Sequence, residues 1–157
     1  MRIDAQMLRV SQALHQQAIA HCQRQSPKEA CGILAGHRMP QPGQAGDVVA
    51  VYPMTNVEDS AIGYAMDPKE QLAIEKLMRQ RGQRMIGIYH SHTATEAYPS
   101  SVDVSLSISP DLSYVLVSLK DRSVPDVKSY RINGMRVSPE AVVIEEAPAG
   151  TGRGGSR

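Results

Sequence analysis

The sequence predicts a mixed α/β domain built around one sheet, and three observations carry that prediction. Short apolar runs bounded by Pro and Gly are interrupted by three segments of helical character, the pattern of a sheet with helices packed on it. Asp67-Pro68-Lys69-Glu70 supplies an N-cap, a proline at the first helical position and a capping-box acid in consecutive residues. Asn133-Gly134 is a two-residue hairpin signal, so hairpins are expected in the second half.

Taken in order, Ile3 to Gln25 reads as a short edge segment and then a helix, with Val10, Leu14, Ala18 and Cys22 as an i, i+4 stripe that Ser26-Pro27 ends. Glu29 to Gly36 is short, apolar and bounded by Pro and Gly, which favours a buried strand over a helix too short to hold. The Pro/Gly/Gln stretch from His37 to Gly46 is a loop, and Asp47 to Met54 a second strand. Periodicity is lost from Thr55 to Met66, which is read as an ordered loop. The helix opened at Asp67 closes at Gly82, with Ala73, Ile74, Leu77 and Met78 as its core face. Arg84 to His92 follows as a strand, and Ser100 or Ser101 caps a short helix that carries Asp103 in its first turn and is broken by Pro110. Tyr114 to Lys120 and Lys128 to Ile132 are neighbouring strands, Met135 to Val137 completes the hairpin, and Val142 to Glu145 is a last edge strand. Residues 1–146 form one domain on this reading, and the Gly-rich residues 147–157 a flexible tail without assigned function.

Composition removes several function classes. A chain of 157 residues with 41% apolar and 21% charged residues is long enough for one buried core and too apolar for global disorder. A formal net charge of +1, with both signs interspersed, offers no broad field for nucleic acid or an anionic membrane. No apolar run approaches the roughly 20 residues of a membrane span, and no charged-then-apolar secretory segment opens the chain, so a cytoplasmic address is expected. Cys22 and Cys31 form no CxxC pair and are read as buried small apolar residues, with a disulfide between them as the lesser alternative.

The stretch that carries chemistry is Tyr89-His90-Ser91-His92, followed by Ser100 and Asp103. On a strand the period of two puts both imidazoles on one face, where they can reach one metal, and Asp103 has enough chain behind it to supply a third ligand. Three protein ligands and a water are the set of a catalytic zinc, which lowers the pKa of its water to about 7 and polarises a carbonyl for hydrolysis. Glu29 is the candidate general base, since a carboxylate opening a buried strand is costly without a partner. Ser100 lies between the histidines and Asp103, where its hydroxyl could donate to an oxyanion. Each residue alone has a plainer reading: core histidines, a loop acid, a helix cap, a first-turn acid. His15, His21 and His37 lack ligand spacing and are taken as structural. His90, His92 and Glu96 also imitate the first metal motif of cupins, without its flanking glycines or any later histidine.

These residues resemble the JAMM (MPN+) metallopeptidases: Glu29 upstream, then His90-Ser91-His92, Ser100 and Asp103 in that family's order and spacing, with Pro27-x-Glu29-x-Cys31-Gly32-Ile33-Leu34-x-Gly36 similar to its first strand. The resemblance spans the first helix to about Glu146. It implies a JAMM/MPN-like fold related to cytidine deaminases, with a central, mostly antiparallel sheet flanked by helices. It also implies one zinc on His90, His92 and Asp103, with Glu29 as base and Ser100 at the oxyanion. Pro53-Met54-Thr55-Asn56, the Tyr89 to Ser100 stretch and Ser129-Tyr130-Arg131-Ile132 are similar to bacterial members acting on a small ubiquitin-like sulfur carrier. For those members the substrate implied is a carrier whose C-terminal Gly-Gly has received cysteine, which is released by cutting the new amide. Thr93 stands where proline often follows the second histidine, and the long insertions of eukaryotic deubiquitinating relatives are missing. Two alternatives remain, an isopeptidase that removes ubiquitin-like proteins from lysines and a non-catalytic scaffold that binds them; the scaffold reading predicts lost ligands, and none is lost.

Overall fold

The computed structural model describes residues 6–146; the expected tail lies outside them. Strand β1 (Met7–Ser11) leads into helix α1 (Gln12–Gln25), then come β2 (Cys31–Gly36), β3 (Gly46–Asp47), β4 (Ala50–Met54), α2 (Pro68–Gln80), β5 (Arg84–His92), α3 (Ser101–Ser105), β6 (Ser113–Ser118), β7 (Asp126–Asn133) and β8 (Arg136–Glu145). The eight strands form one sheet in the order β3-β1-β8-β7-β6-β5-β2-β4. Antiparallel pairing joins β4, β2 and β5 on one side and β6, β7 and β8 on the other; β5 with β6, β8 with β1 and β1 with β3 run parallel.

Local chemistry sets the helix starts. The Ser11 side chain accepts from the Leu14 N–H at 3.2 Å to cap α1, and Asp67 accepts from the Lys69 N–H at 3.0 Å to cap α2 ahead of Pro68. Gly82, at φ +67, turns the chain out of α2 in a conformation that costs glycine little. Glu70 does not close the expected capping box. It reaches across to Thr55, accepting from the backbone N–H at 2.7 Å and the hydroxyl at 3.0 Å, and so ties α2 to the end of β4.

The expected elements differ in detail at four places. Val10 belongs to β1, although it packs into the same core as Leu14, Ala18 and Cys22. The strand expected over 47–54 is split into β3 and β4, because β3 turns away to pair with β1. The segments expected at Met135 to Val137 and Val142 to Glu145 belong to one strand, β8, which starts at Arg136, Met135 lying in the turn before it. The first half of β8 pairs with β7 and its second half with β1, so β1, held between β3 and β8, is not the expected edge, whereas residues 142–145 are paired on the β1 side only. Pro139 is tolerated because that half of β8 is paired on one side only. Ala73 is exposed, leaving Met78, Ile74 and Leu77 as the packed face of α2.

Helix α1 covers one face of the sheet, where Ala18, Ile19 and Cys22 pack against Leu34, Val51, Tyr89, Val115 and Val117. Helix α2 covers Cys31, Ile33, Tyr52 and Met54 on the opposite face. Ile33 and Leu116 are fully buried, and cutting either to Ala is expected to cost about 2–5 kcal/mol. Both cysteines are free and buried, Cys22 on the inner face of α1 and Cys31 beneath α2.

A bulge decides which face β5 presents. The β2–β5 register slips between Leu34 and Ala35, which inserts Ile86 as an extra residue. Ile86 packs under α1 and Ile88 in the core of the opposite face, although both are even-numbered. From Ile88 onward the alternation places His90 and His92 on the α2 side and turns Tyr89 and Ser91 toward α1.

Candidate active site

His90 and His92 end β5, and Asp103 stands in the first turn of α3 facing them. Nε2 of His90 and Nε2 of His92 are 3.3 Å apart, and Asp103 Oδ2 lies 3.2 Å from the first and 3.1 Å from the second. A tetrahedral ion with bonds of about 2.0–2.1 Å has ligand-to-ligand edges of about 3.3 Å, so this triangle is one face of such a shell. His92 Nδ1 lies 2.9 Å from the carbonyl oxygen of Glu96, which can only accept, so Nδ1 holds the proton and Nε2 offers a lone pair. A bare nitrogen and a carboxylate oxygen thus converge on His90 Nε2. One proton there cannot satisfy both, whereas a divalent cation meets all three.

Asp103 is aimed by the start of its own helix. Ser100 caps α3 by accepting from the Asp103 N–H at 3.0 Å, while the Ser100 N–H donates to Asp103 Oδ2 at 2.8 Å. Burial alone would raise the Asp103 carboxyl; the His90 and His92 imidazoles facing it and the N–H of Ser100 overrule it and hold the group well below the usual carboxylate range. Burial pushes His90 down despite its bond to Asp103. For His92 burial acts the same way, but Asp103 and the Glu96 carbonyl outweigh it and raise the imidazole.

The segment between His92 and Ser100 is held by three successive carbonyls. Those of Thr95, Glu96 and Ala97 accept from the Ser118 hydroxyl at 2.6 Å, from His92 and from the Tyr130 hydroxyl at 2.6 Å. The Glu96 carboxylate points away, to an exposed contact with Lys120 at 3.9 Å, and this disposes of the cupin-like ligand set.

Glu29 lies beside the triad with 6% of its surface exposed. Ser91, turned away from the metal face, puts it there: the Ala30 N–H donates to Ser91 Oγ at 2.8 Å, and the Ser91 N–H donates back to the Ala30 carbonyl at 3.0 Å. The Glu29 backbone is fixed on its other side by the 55–66 loop, donating to the Ser60 carbonyl at 2.8 Å and accepting from Asn56 Nδ2 at 2.9 Å. Burial raises the Glu29 carboxyl to about 7; nearby His92 lowers it and Asp103 raises it.

The structure brings the expected ligands His90, His92 and Asp103 together, with Glu29 beside them and Ser100 at their edge. Sequence reading did not single out three supporting residues. Ser91 was part of the motif without a role. Asn56 spends its amide on four partners, Glu29, Gly63, Glu58 and Ala65, and so ties the 55–66 loop together. Tyr64, on that loop, lies against the His90 ring with centroids 4.6 Å apart. An asparagine among residues without periodicity is the one signal of a side-chain-built loop that was there to read. Around the site the loops leave Ile62 and Tyr98 exposed, Ile62 by 90%, and α3 leaves Val102 exposed.

An open two-histidine, one-carboxylate site at a strand end, with a buried glutamate alongside, defines a metal-dependent peptidase of the JAMM type. The chain belongs to the family described as prokaryotic homologs of the JAB domain, which matches residues 11–133. It is 44% identical over 128 residues to the CysO-cysteine peptidase of Mycobacterium tuberculosis, covering 82% of this chain and 84% of that one. It is also 32% identical over 93 residues to a desampylase of Haloferax volcanii, covering 59% of this chain and 63% of that one. The solution structure of a Desulfitobacterium hafniense protein, 37% identical, superposes with a TM-score of 0.78 over 90% of this chain and 94% of that one. A Salinibacter ruber protein, 26% identical, gives 0.67 over 88% and 92%.

Proposed function

We propose that this peptidase hydrolyses the amide bond after the C-terminal Gly-Gly of a small ubiquitin-like sulfur carrier, releasing the cysteine the carrier has received. The observation that carries the reading is the Glu29 carboxyl, on a residue only 6% exposed and near His92 and Asp103, set beside a three-ligand site that fits a divalent cation. The likeness to a CysO-cysteine peptidase over most of both chains supports the substrate.

Zinc suits one oxygen and two imidazole ligands; bound here, it would polarise the amide carbonyl and acidify water. Glu29 accepts a proton from the attacking water and returns it to the departing nitrogen as the C–N bond breaks, leaving a carrier carboxylate and a free amine. The Ser100 oxygen is engaged as acceptor by the Asp103 N–H, so its own proton is free to donate to the developing oxyanion. Glycines at the carrier's end have no side chains, which lets an extended tail run between the 55–66 loop and the 93–99 segment. The exposed Ile62, Tyr98 and Val102 would meet the carrier's folded surface. Two free buried thiols accord with a cytoplasmic setting.

A second reading keeps the chemistry and changes the leaving group to a protein lysine. It is favoured by the likeness to the desampylase and, at 34% identity over 99 residues, to a probable TtuB-protein conjugate cleaving protease of Thermus thermophilus. Incubating the zinc-loaded enzyme separately with a carrier–cysteine adduct and a carrier–lysine conjugate separates the two. Faster turnover of the adduct is expected; faster turnover of the conjugate overturns the substrate assignment.

A further inference from the structure

We propose that the cleft beside Glu29 seats the leaving group, and that Lys28 reads the free α-carboxylate of a single amino acid there. The assignment rests on the peptidase reading above and adds to it a residue that selects the departing half of the substrate.

The location follows from where the proton must go. The nitrogen that leaves is the one Glu29 protonates, so the leaving group has to lie within hydrogen-bond reach of Glu29, away from Ser100, which serves the carbonyl oxygen. On the Glu29 side a cleft of about 400 Å³ opens between the end of α1, which contributes His21 and Gln25, and the segment bearing Thr55, Asn56 and Asp59. Lys28 and Glu29 line it together, adjacent in the chain.

The polar groups of that cleft are mostly engaged. Thr55 is held by Glu70, and Asn56 has used its amide on the loop. His21 Nδ1 lies 2.7 Å from the Tyr89 hydroxyl. Lys28 alone brings a full positive charge, and its present partner is Asp59 across the mouth of the cleft. The two side chains are 52% and 67% exposed, so the pair is screened by water and exchanges readily for another carboxylate. Asp59 sits in the left-handed region at φ 51, and the next residue, Ser60, accepts from the Glu29 N–H at 2.8 Å. The ion pair is therefore tethered to the backbone of the residue that handles the proton.

An amino acid cut from a carrier tail carries its α-carboxylate two bonds from the nitrogen being released. A nitrogen placed at Glu29 brings that carboxylate to the neighbouring Lys28, which can leave Asp59 to meet it. A chain that continues beyond the α-carbon, or a lysine joined through its ε-nitrogen, presents no charge at that distance. Lys28 would thus favour a carrier ending in a single amino acid over one joined to a protein.

Two substrates differing in one group test this: a sulfur carrier extended after Gly-Gly by cysteine, and the same carrier extended by cysteinamide. With zinc-loaded enzyme the acid should be cleaved with a kcat/KM about tenfold above that of the amide. Lys28→Met should bring the ratio close to one by lowering the rate on the acid alone, and Lys28→Arg should keep most of it. In the chelator-treated enzyme, which binds without turnover, Kd for the two adducts should differ in the same direction. Wild-type rates within twofold of each other, or equal loss on both substrates in Lys28→Met, would overturn the role of Lys28 and leave the peptidase reading standing. Cleavage of neither adduct, with lysine conjugates still cut, would overturn both the role of Lys28 and the release of cysteine as the reaction.

Discussion

Nδ1 of His92 stands 2.9 Å from the carbonyl oxygen of Glu96, and this contact orients the second imidazole of the site. A carbonyl accepts only, so the ring is committed to the tautomer that leaves Nε2 bare toward Asp103, 3.1 Å away. The backbone of an exposed glutamate, rather than its carboxylate, is the part that serves the metal centre.

Removing the imidazole should therefore empty the site. His92→Ala is expected to lose metal and activity together, because one imidazole and one carboxylate make a weak two-ligand site. Elemental analysis after desalting checks this; stoichiometric zinc in the variant would take His92 out of the coordination shell.

The anchor of the Glu96 carbonyl can be loosened from a distance. Tyr130→Phe removes the hydroxyl that holds the neighbouring Ala97 carbonyl at 2.6 Å and keeps the ring that packs on Tyr98. Zinc affinity is expected to fall by up to about tenfold, toward the lower end of what partners behind the ligands contribute elsewhere. Competition with a chromophoric chelator reads it, and an unchanged affinity would show that the 93–99 segment needs no help from Tyr130.

Glu29→Gln should retain zinc and lose turnover by about 10²–10⁴-fold. The pH dependence has a definite sign. The folded metal-free chain holds the Glu29 proton up to about pH 7, whereas an ordinary glutamate releases it near 4.5, so rising pH costs the native state stability across that window. The Tm of metal-free Glu29→Gln should match wild type below pH 4.5 and exceed it above pH 7. A bound cation draws the carboxyl lower, so the acid limb of kcat/KM in the loaded enzyme should fall at or below about pH 7. A constant Tm difference across the range would mean that Glu29 is not desolvated as described.

Ser100→Ala separates two duties of one side chain. The Ser100 N–H still donates to Asp103 Oδ2 in the variant, so metal content should be unchanged. Loss of the cap is expected to cost about 1 kcal/mol, and loss of the oxyanion donor about 10²–10³-fold in kcat. Metal titration, thermal melting and steady-state kinetics read the three effects apart; a variant that loses zinc would make Ser100 chiefly an aid to Asp103.

Much of this site was legible because its signals are local. Proline and a capping residue mark α2, Asn133-Gly134 marks the β7–β8 turn to within one residue, the loop being Gly134-Met135, and His90-x-His92 carries strand parity in its spacing. What was not legible depends on partners distant in the chain. The bulge at Ile86 comes from the slip against Leu34 and Ala35, and it sets which face the histidines occupy. The continuity of β8 through Pro139 depends on pairing with β7 first and β1 afterwards. Asn56 and Tyr64 lie in a stretch with no repeat, where side-chain hydrogen bonds replace the periodicity that sequence reading relies on. Glu70 offered a capping box and was diverted by Thr55, a tertiary contact that no local rule anticipates.

Mass spectrometry of a cysteine-extended sulfur carrier, before and after exposure to zinc-loaded and to chelator-treated enzyme, tests the central claim most directly. Loss of one cysteine residue, ending at the diglycine and seen with the loaded enzyme alone, is the predicted result. An unchanged mass, a cut elsewhere in the tail, or equal release by the chelator-treated enzyme would contradict it.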